Sequence, residues 1–130
     1  MDKKIVDLIK GYLEVAKEKL KSARDLLNAG DWSDCVSRAY YSVFHTGQAL
    51  LLTEGLSADT HKGLRNLFGL HFVKTGKFDK RFGRILSNLK DDRENSDYEL
   101  FSGIDQEIAE ESVKKAEEFL KEAERYLEKI

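Results

Sequence analysis

The sequence predicts an all-α fold, an antiparallel up-and-down four-helix bundle with one additional short helix. Three observations carry this. Apolar residues recur at steps of three and four through five segments, the spacing that lines one face of a helix. No segment alternates apolar and polar residues at period two, so strands are not expected. Proline is absent, which leaves long helices unbroken.

The first segment aligns Val6, Ile9, Leu13, Ala16, Leu20, Ala23 and Leu27 in one stripe. It closes at Asn28-Ala29-Gly30, where glycine suits a left-handed C-cap. Asp31 then caps a second helix whose stripe is Trp32, Val36, Ala39, Val43, Gly47 and Leu50, ending near Gly55. Tyr40, Phe44 and Leu51 flank it. A third helix starts between Ser57 and Thr60 and buries Leu64, Leu67, Phe68 and Phe72 before Gly76. The fourth is a short helix from Phe78 to Leu89, with Phe78, Phe82, Ile85 and Leu89 on one face. An irregular link through Gly103 leads to Asp105, the cap of the fifth. There Ala109, Val113, Ala116, Leu120, Ala123, Leu127 and Ile130 form the stripe.

The 130 residues read as a single helical domain, 1–130, able to bury about two thirds of its unfolded surface. Lys and Arg number 22 against 24 Asp and Glu, a net charge of -2, so no global basic field exists to hold nucleic acid. Cys35 stands alone, which excludes an internal disulfide framework. With only the scattered His45, His61 and His71 beside it, neither a metal site nor a cofactor is expected. No apolar run is long enough for a signal peptide or a membrane span, so a cytoplasmic address is expected. Abundant Glu and Lys with one Met and one Cys fit a thermophilic source.

Function turns on Arg93-Glu94-Asn95-Ser96-Asp97-Tyr98. The row Phe82, Ile85, Leu89 has Arg93 as its next member, a guanidinium where an apolar residue was due. Burying a charge is costly unless it is paired. Two readings stay open. Arg93 pairs with Asp97 or another carboxylate and staples the end of the fourth helix. Alternatively, Arg93, Asp97 and Tyr98 sit at the mouth of a cleft where Arg93 meets a phosphate bidentately.

On the second helix Arg38, Tyr41, His45 and Gln48 fall opposite the apolar stripe, as a nucleotide-sized cleft, a dimer interface or a solvated outer face. The run Lys74, Lys77, Lys80, Arg81, Arg84 and Lys90 is the local concentration of positive charge, diluted by Asp79, Asp91 and Asp92.

Four stretches carry a resemblance: Arg38-Ala-Tyr-Tyr-Ser-Val-Phe-His45, His61-Lys-Gly-Leu, Phe72-Val-Lys-Thr-Gly-Lys77 and Arg93-Glu-Asn-Ser-Asp-Tyr98. In this order they resemble the HEPN (higher eukaryotes and prokaryotes nucleotide-binding) domain family, in its small stand-alone prokaryotic and archaeal branch. The resemblance implies a four-helix bundle with a short extra helix, commonly homodimeric. It also implies a minimal nucleotidyltransferase as partner, in a toxin-antitoxin or substrate-binding pair.

Many members of that family are metal-independent ribonucleases that use an Arg followed, after four to six residues, by a His. Counted from Arg93 those positions hold Tyr98, Glu99 and Leu100, and no histidine follows His71. The Arg carries over and the general base does not. Tyr98, with an ordinary pKa of about 10, is a poor replacement near neutral pH. The resemblance makes Tyr98 a candidate acceptor of a nucleotidyl group. The expectation is therefore a nucleotide- or RNA-binding or regulatory module using Arg93, Asp97, Tyr98, Arg38, Tyr41 and His45. Its alternatives are a ribonuclease toxin with Asp97, Tyr98 or His45 as base, and a non-catalytic scaffold.

Overall fold

Asp2 opens the first helix by accepting the Lys4 amide at 2.8 Å, and α1 runs over Lys3–Ala29. The computed structural model of the chain describes residues 1–96 and 103–130. At the end of α1 the Asp31 amide donates to the Leu26 carbonyl at 2.9 Å and the Gly30 amide to Leu27 at 3.2 Å. Those two bonds, with Gly30 at φ 82°, make a Schellman cap. The chain reverses there within two residues, and α2 follows over Trp32–Leu52.

The short helix α3 covers His61–Phe68, with the Thr60 hydroxyl accepting the Gly63 amide. It continues into a π-helical turn at Gly69–Val73, where the Lys74 amide reaches back to the Gly69 carbonyl at 2.9 Å. Helix α4 covers Lys80–Ser96 and α5 covers Gln106–Glu128. Asp105 caps α5 by accepting the Ile108 amide at 2.9 Å.

The fourth helix differs from its sequence expectation at both ends. Phe78 is buried but precedes the helix, and α4 runs on past Leu89 to Ser96. The apolar row stops at Leu89, yet Lys90, Arg93 and Glu94 are good helix formers, and Lys90 pairs with Glu94 one turn on at 2.9 Å. Arg93 therefore stands on a helix rather than in a link.

Cross-bundle pairs fix the directions. Lys17 pairs with Glu124 and Arg24 with Glu117, so α1 and α5 are antiparallel. Tyr41 meets Arg93 near one end of α4, while Glu54, just beyond α2, pairs with Lys77 before its other end. Helices α2 and α4 are thus antiparallel, and the four long helices run up, down, up and down. Helix α2 packs against every other helix of the bundle. It is accordingly buried on more than one face, and Gln48 is buried too, exchanging hydrogen bonds with the Ala58 backbone. The expected solvated outer face of α2 does not extend that far.

The core is richest in aromatics between the π-helical turn, the start of α4 and α5. Phe68, Phe72, Phe78, Phe82 and Phe119 interlock with centroids 5.4–6.1 Å apart. Each fully buried ring contributes roughly 2–3 kcal/mol of transfer free energy. Gly47 lets α3 approach α2 closely, since a Cβ there would lie 2.9 Å from a methyl of buried Leu64. This leaves the opposite end of α4, around Arg93, to be organised by polar and aromatic groups.

Candidate functional site

Leu89 is fully buried and Arg93 follows it one turn later on the same face of α4. The half-buried guanidinium donates from Nη2 to the Tyr41 phenol at 3.0 Å. Its Cζ lies 5.4 Å from the Tyr40 ring centroid and 5.3 Å from that of Tyr41. The two phenol rings are themselves set edge to face, 5.1 Å apart. Cation–π attraction and a charge-assisted hydrogen bond offset part of the cost of desolvating the cation. Successive residues of α2 thus build a two-ring seat for one residue of α4.

Burial pushes the Tyr40 phenol above its ordinary pKa, an effect opposed by the neighbouring Arg93 charge. The other side of this cluster is His61, the first residue of α3. Its ring centroid is 5.4 Å from that of Tyr40, and it is only 8% exposed. Neither ring nitrogen finds a hydrogen-bond partner among the described residues. Burial, then the positive charges of Lys90 and Arg65, lower its pKa to about 4. The imidazole is therefore neutral at pH 7. At the rim, the hydrogen bond from Lys90 holds the Glu94 carboxyl below the usual carboxylate range.

Of the residues expected at the site, Arg93 and Tyr41 are brought into direct contact. His45 is half-buried one turn beyond Tyr41. Its Nδ1 donates to the Tyr41 carbonyl at 2.7 Å, and its ring packs against Tyr12 and Phe44. Arg38 remains exposed on α2. Asp97 and Tyr98 lie outside the described residues. His61, which periodicity places only as a first-turn residue, joins the cluster through Tyr40.

Half of the basic run before and along α4 is paired with carboxylates. Lys77 pairs with Glu54, Lys90 with Glu94, and Arg81 with Glu118 while covering the Phe82 ring at 4.4 Å. Cys35 is buried, and burial pushes its thiol up to about 11, which suits packing rather than reactivity. Among the described residues no three His, Cys, Asp or Glu side chains gather to hold a metal, and no helix is long and apolar enough to cross a membrane.

The arrangement offers a fixed guanidinium, two phenol faces and a neutral imidazole in one place. A guanidinium held in this way suits the phosphate of an anionic ligand, with the phenol rings serving as its seat.

Known proteins share the architecture and the sequence. The HEPN domain model matches residues 9–126. The chain is 35% identical over 130 residues, all of it and 96% of the relative, to the Methanocaldococcus jannaschii protein named "Putative toxin MJ0605". It is 34% identical over 110 residues to a UPF0332 protein of Thermotoga maritima, covering 85% of this chain and 83% of that one. The crystal structure of TT1696 from Thermus thermophilus has the same fold, with a TM-score of 0.78 over 91% of this chain and 97% of that one at 18% identity. With the domain model spanning nearly the whole bundle, and Arg93 and Tyr41 in contact within it, this chain belongs to the HEPN domain family.

Proposed function

We propose that the chain is a nucleotide- or RNA-binding regulatory module of a toxin-antitoxin-type pair, with Arg93 as its phosphate contact. The observation that carries this is the guanidinium at the end of an apolar row, seated on the rings of Tyr40 and Tyr41. A cation held in this way is oriented before a ligand arrives, which lowers the ordering cost of binding a phosphate. The toxin name borne by the relative of matching length supports the toxin-antitoxin setting. In this reading the chain is a homodimer and pairs with a minimal nucleotidyltransferase. Asp97 shares the cleft, and Tyr98 accepts a nucleotidyl group.

Fluorescence anisotropy with a labelled oligoribonucleotide tests the Arg93 contact. Arg93→Ala is expected to weaken binding about tenfold or more while helicity is retained. Unaltered affinity in the folded variant, or no binding by the wild type, removes Arg93 as a phosphate contact. Co-purification with the product of a neighbouring nucleotidyltransferase gene, followed by mass analysis of Tyr98, tests the partner.

A second reading, a metal-independent ribonuclease, draws on the same toxin name. His45 is a candidate for its base, since Nδ1 donates to the Tyr41 carbonyl and so leaves Nε2 as the proton acceptor, while the ring packs against Tyr12 and Phe44. Cleavage of mixed RNA in chelator by the wild type, absent in Arg93→Ala, is the result that establishes it. A protein that neither binds nor cleaves RNA nor binds nucleotide is a scaffold.

A further inference from the structure

The imidazole of His61 is buried, and both its nitrogens lack a hydrogen-bond partner among the described residues. Buried polar atoms left in this condition are uncommon, and each carries a desolvation cost. We infer that His61 is a second anion contact of the Arg93 site, taking up a proton when a phosphate ester binds there. This rests on the reading of Arg93 as a phosphate contact.

Tyr40 is the common wall. Its ring centroid lies 5.4 Å from that of His61 and 5.4 Å from the Arg93 guanidinium carbon. The imidazole is surrounded on every packed element by groups that bear on its charge. Lys90, Asp91 and Glu94 face it from α4, Arg65 lies one turn along α3, and the Tyr40 ring faces it from α2. Burial first, and then the charges of Lys90 and Arg65, keep the ring neutral, while Glu94, the stronger of the opposing carboxylates, is tied to Lys90. His61 also occupies the first turn of α3, where the helix dipole is positive.

Such surroundings repel a proton and attract an anion. A phosphate ester entering beside Arg93 would screen Lys90 and Arg65 and bring oxygen acceptors to the ring. Both changes favour the imidazolium, which then donates to the ligand. The proton comes from bulk water and returns to it on release, so no covalent step is involved. The ligand chemistry is a phosphate ester, whether of a free nucleotide or of an RNA backbone.

The test follows the three histidine rings by NMR across acid pH, in the free protein and with saturating uridine monophosphate or oligouridylate. Loss of one signal in His61→Gln identifies the ring. Free His61 is expected to titrate at about 4. With ligand its midpoint is expected to rise by about one unit or more. A rise with oligouridylate alone assigns the contact to a polynucleotide, and a rise with both probes shows that one nucleotide suffices. Oligouridylate keeps its backbone charge over this range, so its wild-type affinity is expected to increase by about twofold or more from a pH of about 7.5 to about 5, by linkage. His61→Gln is expected to lose that increase.

If ligand binds, Arg93→Ala abolishes binding and the His61 midpoint stays fixed, the inference fails while the Arg93 reading stands. If neither probe binds the wild type, both fall together. Where His61→Gln is unstable, His45→Gln and His71→Gln assign the other two signals, and the wild-type titration of the remaining ring decides the matter.

Discussion

The guanidinium of Arg93 on α4 reaches the phenol of Tyr41 on α2 at 3.0 Å, across 52 residues of sequence. One side chain thereby joins the far end of α4 to the middle of the helix against which the four other α-helices pack. Tyr41→Phe removes the acceptor and keeps the ring. It is expected to lower stability by about 1 kcal/mol in urea unfolding. A double-mutant cycle with Arg93→Ala should give a coupling of similar size. Additivity within a few tenths of a kcal/mol would mean that the pair is energetically idle.

Arg93→Lys separates charge from shape. Lysine retains the positive charge but lacks the planar fork and stacks less well on Tyr40 and Tyr41. Binding of an oligoribonucleotide is expected to fall nearly as far as in Arg93→Ala, by about tenfold. Wild-type affinity in the lysine variant would show that a point charge is enough.

Acid should destabilise the fold in two stages. The folded-state pKa of His61 is depressed from 6.5 to about 4, so the unfolded chain binds the proton more readily. Stability is therefore full above about pH 6.5, declines as pH falls, and stops declining from this source below about 4. The loss amounts to about 3 kcal/mol at the acid end. Glu54 and Glu94, held low by Lys77 and Lys90, contribute losses only below the ordinary glutamate pKa of 4.5. Urea midpoints measured through this range, with His61→Gln alongside, check the assignment. An equal slope between pH 6.5 and 4.5 in both proteins would refute it.

Gly30 occupies the left-handed region at the end of α1. Gly30→Ala is expected to cost about 1–2 kcal/mol by thermal or urea unfolding, because a Cβ crowds the following carbonyl there. The binding properties of the Arg93 site should not move.

Much of the bundle was legible in the residues because caps are local. Gly30, Thr60 and Asp105 mark helix ends through bonds that span only a few positions. The end of α4 was not legible from the apolar row, which stops at Leu89, whereas the helix runs on through charged residues, among them Lys90 and Glu94, paired one turn apart. Gln48 misled for another reason. A helical wheel separates faces but does not tell how many neighbours cover them, and α2 is covered by four helices. At the site, periodicity put Arg93 after Leu89, and a polar stripe singled out Tyr41. Their contact is long-range and needed the packing of α2 on α4. The isolation of the His61 nitrogens is a tertiary fact with no local signature.

The π-helical turn at Gly69–Val73 has a consequence for how this family could vary in length. An α-helix winds about 100° per residue, so one residue of slack resets the angular phase between what lies before and after it. Phe72 is anchored among the aromatics, and its backbone carbonyl receives the Phe78 amide at 2.8 Å. Deleting a single residue here would therefore swing the free end, carrying His61 and Leu64 away from Tyr40 and Gly47. The turn works as a vernier, aligning an imidazole at one end with a hydrophobic anchor at the other.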